Sequence, residues 1–150
     1  MKLGFALILF SLFSLSSCSN LEDVKETSIE ETILNAALIK HGSDKILDRI
    51  ISFTFREKRY SFMKNEKGFS YARKFTDSSR IIIDKFTNKG TTRTVNDSLI
   101  DLDEKKTNGI SNSLNSVMYF TFLPYFLQDK AVKMEFVAKN TIKGKEYDQI

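Results

Sequence analysis

Residues 50–57 read "IISFTFRE", and their period decides the fold. Alternation places Ile51, Phe53 and Phe55 on one side and Ser52, Thr54 and Arg56 on the other, as in a half-buried strand. Aromatic and β-branched side chains suit a pleated, one-sided surface. The pattern continues in "KRYSFMKN" (58–65), with Tyr60 and Phe62, up to a turn at Asn65-Glu66-Lys67-Gly68. "FSYARKF" (69–75) alternates Phe69, Tyr71, Arg73 and Phe75. "RIIIDKFTN" (80–88) closes on Asn88-Lys89-Gly90, and "TTRTV" (91–95) ends in Asn96-Asp97. Short alternating runs separated by turn residues predict an antiparallel meander. One face of it is aromatic, and the other carries Lys, Arg, Ser and Thr.

Outward from this sheet the period changes. Ser28-Ile29-Glu30-Glu31 has the form of a capping box, with Ser28 as N-cap and Glu31 reaching back. Ile29, Ile33, Ala36 and Ala37 share a face that Leu34 and Leu38 widen, and Gly42 follows as a stop. A helix over 28–41 follows. Downstream, Asp101, Asp103 and Glu104 stand where acids favour a helix start, predicting a second helix over 102–120. The apolar stretch Val117–Leu127 is about eleven residues, too short to span a bilayer, and Pro124 interrupts it. It reads as a helix end and turn packed on the aromatic face. "VKMEFVAKNTI" (132–142) predicts a further strand, before a turn at Lys143-Gly144. The expected fold is α+β: a twisted antiparallel sheet, an incomplete half-barrel, with helices packed on its concave face. Because the chain stops at "KEYDQI" as another strand opens, the domain over 28–150 is expected to be truncated at its C-terminus.

The N-terminus is of another kind. Met1-Lys2 is followed by an apolar run from Leu3 to Phe13, the length of a secretory signal. Leu15-Ser16-Ser17-Cys18 then resembles the lipobox of bacterial lipoproteins. The resemblance implies a signal peptide over 1–17, lipid attachment at Cys18 and a polar tether over 18–27 ("NLEDVKET" within it). A thiolate is the side-chain nucleophile that acylation needs. Several acyl chains, at about 0.8 kcal/mol per buried CH₂, hold such a protein firmly in a membrane. Ser19 stands where an aspartate would retain many lipoproteins at the inner membrane, so the expected address is the outer membrane of the cell envelope.

Composition narrows the chemistry. Cys18 is the sole cysteine and His41 the sole histidine, which excludes structural disulfides and multi-histidine metal centres within the chain. There are 13 Phe and 5 Tyr without a Trp, rich for one domain. A sequence pI near 9.1 suggests nucleic acid, yet Lys and Arg interleave with Asp and Glu throughout. A mixed solvated surface is the reading, with no nucleic-acid partner.

"HGSDK", "ISFTFR", "NSLNSVMYFTFLPYFLQDKAV" and "TIKGKEYDQI" together resemble an uncharacterised lipoprotein family of Gram-negative envelopes. That family shows His-Gly-Gly, Asn-Ser-Val-x-Tyr-Phe and Leu-Pro-Tyr; here Ser43 replaces the second glycine. Its helix–meander–helix–strand layout resembles the half-barrel of LolA and LolB, which carry lipoproteins. The resemblance implies a fold and a location without an activity. Some relatives carry an aldolase label, but that chemistry needs a β/α barrel and a buried Schiff-base lysine, and the sequence patterns neither.

Four groups are candidate sites. The aromatic face (Phe53, Phe55, Tyr60, Phe62, Phe69, Tyr71), with Met118 and Phe122 from the second helix region, either fills a core or lines an apolar cavity. Asn112, Asn115, Ser116 and Tyr119 could contact a ligand head group or satisfy nearby backbone. His41-Gly42-Ser43-Asp44 is either a polar site or a helix C-cap and turn. Asp101, Asp103 and Glu104 are either Ca²⁺ ligands or helix N-terminal acids, and the second is expected. No catalytic set, metal or cofactor is expected. The predicted function is a non-enzymatic envelope lipoprotein, membrane-bound through its anchor, that takes a lipid, a lipoprotein or another apolar ligand. The alternative is an interaction or assembly module with a filled core.

Overall fold

The computed structural model describes residues 27–150. The expected signal peptide, Cys18 and nearly all of the tether lie outside the described residues. The element order is α1 (Ile29–His41), β1 (Ile51–Phe55), β2 (Lys58–Asn65), β3 (Gly68–Asp77), β4 (Arg80–Thr87), β5 (Gly90–Val95), β6 (Ser98–Ile100), α2 (Glu104–Thr121), β7 (Ala138–Ile142) and β8 (Lys145–Gln149). Single 3₁₀ turns follow each helix, at Ser43–Lys45 and Tyr125–Gln128. The fold is mixed α and β, as the periodicity predicts.

Strands β1 to β6 form a six-stranded antiparallel sheet in sequence order, open at β1 and β6. Its turns differ at the two ends. At one end Arg56-Glu57, Ser78-Ser79 and Asn96-Asp97 all take positive φ in two-residue loops. That geometry matches the twist of the strands it joins. At the other end the loops close on Gly68 (φ 140°) and Gly90 (φ 113°). At Gly68 a side chain would run into that of Asn88, whose Oδ1 accepts the Phe69 N–H at 2.7 Å. The missing Cβ is what lets one hairpin tip brace the next.

Register fixes two faces. Ile51↔Phe62, Phe53↔Tyr60 and Phe62↔Tyr71 are opposed pairs, and so are Tyr71↔Phe86, Arg73↔Asp84 and Asp84↔Arg93. These residues share the inner face. Helix α2 lies across it, packing on β3, β4 and β5. Ile110, Leu114 and Met118, spaced by four, form its buried stripe. Burying each such side chain contributes about 1.5–3 kcal/mol. Asp103 caps the helix, its Oδ1 accepting the Lys106 N–H at 2.7 Å.

Helix α1 is capped by Ser28, whose Oγ accepts the Glu31 N–H at 3.2 Å, and ends on Gly42 in the left-handed region. Leu34, its buried residue, faces Leu127, Val132 and Met134. The Glu30 carboxylate accepts the Phe136 N–H at 2.8 Å, so α1 is tied to the chain that follows α2. Two details differ from the periodicity. The run 132–142 is strand only from Ala138, and it pairs with β8 in a separate two-stranded hairpin. Within the apolar stretch after Val117, Phe120 is 73% exposed while Phe126 is buried.

Candidate functional site

The inner face is built by cross-strand ring pairs. Phe53 stacks on Tyr60 with centroids 5.4 Å apart, and Phe62 stacks on Tyr71 at the same distance. Phe122 then lies over both Phe53 and Phe62, with centroids at 6.2 and 4.0 Å. Phe62, Leu114 and Met118 have no exposed surface. Of the expected apolar set, Tyr60, Phe62, Tyr71 and Met118 are buried, Phe53, Phe69 and Phe122 are half-buried, and Phe55 is exposed. Burial of the Tyr71 hydroxyl, with Tyr125 nearby, pushes its pKa up to about 12.

Beside these rings the same face turns ionic. Asp84, fully buried, accepts from two strands at once. Arg73 Nε donates to its Oδ2 at 2.7 Å. Arg93 Nε and Nη2 donate to Oδ1 and Oδ2 at 2.6 and 3.0 Å. Arg73 Nη1 continues to Ser113 Oγ on α2 at 2.7 Å, so the network pins helix to sheet. The Asp84 hydrogen bond raises the Arg93 pKa against the effect of burial. Sequence reasoning did not assign this cluster. Its signal was present in "FSYARKF", where Arg73 occupies a position that alternation assigns to the aromatic face.

Two open clefts flank α2. One, of about 340 Å³, has Phe69, Tyr71, Phe86 and Phe126 as an apolar floor. Lys64, Ser111, Asn112, Asn115 and Asp129 form its polar rim. The Lys64 ammonium sits 5.3 Å from the centroids of both the Tyr125 and Phe126 rings, a cation–π arrangement. The second cleft, of about 360 Å³, is lined by Phe55, Ser116, Val117, Phe120 and Thr121.

The structure therefore divides the expected sites. Asn112 and Asn115 meet Phe69 and Tyr71 at the first cleft. Ser116 belongs to the second, its hydroxyl donating to the Asn112 carbonyl at 2.8 Å. Tyr119 stacks on Phe126 at 5.6 Å. His41 and Asp44 are exposed on either side of the Gly42 cap, whose N–H is donated to the Ile39 and Leu38 carbonyls. The acidic trio begins α2, with Asp103 held below the usual carboxylate range by the Lys106 backbone N–H. Among the described residues no three His, Cys, Asp or Glu side chains converge as a metal site.

The sequence profile of a family of unknown function, DUF6503, matches residues 4–150. No curated protein and no solved structure matches the chain.

Proposed function

The chain belongs to the DUF6503 family, and we propose that it is a non-enzymatic lipoprotein of the cell envelope that binds one small amphipathic ligand beside α2. The observation that carries this reading is the first cleft, where an aromatic floor meets a rim of Lys64, Asn112 and Asn115. A floor of that kind takes an apolar tail; the amide and ammonium donors take a polar head. At about 340 Å³ the cleft is at the low end of ligand sites, which run from about 300 to 1,000 Å³. That size suits a single short acyl chain better than a many-chained lipid. An open sheet under one helix is compatible with a half-barrel layout like that of LolA and LolB. Acylation at Cys18 and an outer-membrane address complete the proposal.

Two measurements test it. Native mass spectrometry of the purified chain should detect a co-purified amphiphile, and Asn115→Trp, which fills the cleft from an exposed position, should remove it at an unchanged melting temperature. Labelled palmitate should enter the wild type and not Cys18→Ser. A chain that carries no amphiphile and binds no fatty-acid probe sinks the ligand reading. The second reading, an assembly module, is favoured by the zero exposure of Phe62, Leu114 and Met118, and such an outcome would leave it standing.

A further inference from the structure

The outer face of the six-stranded sheet carries charge of one sign. Its outward strand positions include Arg59, Lys74 and Lys85, all exposed, and no Asp or Glu occupies any of them. Arg59 and Lys74 are directly opposed across β2 and β3, and Lys85 stands opposite Ala72, on the diagonal from Lys74. Like charges in opposed positions destabilise a sheet. No ion pair, hydrogen bond or ring contact among the described residues neutralises these three, although Arg73, Arg80, Arg93, Lys106 and Lys139 all have carboxylate partners. Between the cations lie Met63, Ala72, Ile81 and Ile83, with hydroxyls at Ser52, Ser61 and Thr92. Small side chains at Ser52, Ser61 and Ala72 leave a shallow depression of about 210 Å³ beside Arg59 and Lys74.

We infer that this face docks on a bilayer surface bearing anionic phosphate headgroups. The charge complementarity is specific to the face, because the cations are collected where acids are missing while the chain as a whole carries a net charge of only +4. The exposed Ile81 and half-buried Ile83, set among basic and hydroxyl side chains, suit the headgroup layer, where apolar groups are half-buried and phosphates meet guanidinium and ammonium donors. An anion between Arg59 and Lys74 would turn their repulsion into a shared site. The inference rests on the envelope-lipoprotein reading for the presence of a membrane nearby, and assigns the orientation of the domain upon it.

The test uses the full chain carrying Cys18→Ser, so that its outcome is independent of acylation. Partition onto vesicles containing phosphatidylglycerol is compared with partition onto pure phosphatidylcholine, which cancels apolar binding by the N-terminus. We expect preference for the anionic vesicles, weakening with salt. The triple variant Arg59→Gln, Lys74→Gln, Lys85→Gln should lose roughly a hundredfold of that preference, since each surface cation near such a membrane contributes about fivefold. Lys74→Glu keeps the result interpretable: by pairing with Arg59 it should raise the melting temperature while weakening vesicle binding. Equal binding to both vesicles, or full preference in the triple variant, overturns the inference. Stronger capture by an acidic polyglutamate than by anionic vesicles also overturns it, assigning the face to an acidic protein.

Discussion

Beneath a single helix, the inner face of the sheet is filled in two different ways. Around Phe53, Tyr60, Phe62 and Tyr71 it is closed by stacked rings under Met118 and Phe122. Towards β4 and β5 it is closed by one carboxylate shared between two guanidinium groups and tied to Ser113. The rings are held by area removed from water and tolerate many partners. The ionic half depends on every member, because a desolvated charge without its counter-charge is strongly unfavourable. One half therefore supplies most of the stability, and the other fixes how α2 sits across the strands.

The largest effect should come from breaking the ionic half at its centre. Asp84→Ala leaves Arg73 and Arg93 facing each other, and chemical denaturation should show a loss of about 3–5 kcal/mol. Replacing all three by leucine should be far milder, since well-packed apolar substitutes for buried ion networks are often neutral or better. If the triple replacement is as damaging as the single one, the ionic half cannot be replaced by an apolar filling, and its charges do more than close the face. On the aromatic side, Phe62→Ala empties a fully buried site and should lower stability by about 3–4 kcal/mol, without the rescue that leucines give the ionic half.

Alkaline pH sharpens the contrast further. The folded pKa of Tyr71, about 12, lies above the ordinary tyrosine value near 10. The stability tied to its buried neutral phenol is thus fully present below about pH 10 and lost as pH rises towards 12. Wild type should lose about 1–2 kcal/mol more than Tyr71→Phe across that window, because the cleft lets solvent screen part of the shift, as paired denaturation curves will show. The smallest effect belongs to the helix that bridges the halves: Asp103→Ala removes the α2 N-cap and should lower stability by about 1 kcal/mol. A loss of 3 kcal/mol or more there would mean that the cap also governs how α2 docks.

Much of this architecture is local and was legible for that reason. Alternation from Ile51 onwards needs only the pleat, and the caps at Ser28, Gly42 and Asp103 need only a side chain within reach of its own backbone. The hairpin at Arg56-Glu57 was harder. Both residues adopt positive φ, yet neither belongs to the types that announce such a turn. The short β6, Ser98–Ile100, offers too few residues for a period to register. Residues 132–136 have strand composition but no strand partner, and pairing, which composition does not specify, is what makes a strand.

Taken by itself, the sequence determined most of the sheet, its turns at Gly68, Gly90 and Asn96-Asp97, the two helices and which face is aromatic, because each of these is set by neighbours a few positions apart. Only the tertiary structure decided the rest. Register brings Arg73, Asp84 and Arg93 into one row from three strands, and it sets Arg59 against Lys74 on the opposite side. The passage of α2 over β3, β4 and β5 divides Asn112 and Asn115 from Ser116, and gives the first pair the aromatic floor of a cleft. Such groupings join residues from nine to forty positions apart, and a charge found at an inward position reveals its partner only when the strands beside it are in place.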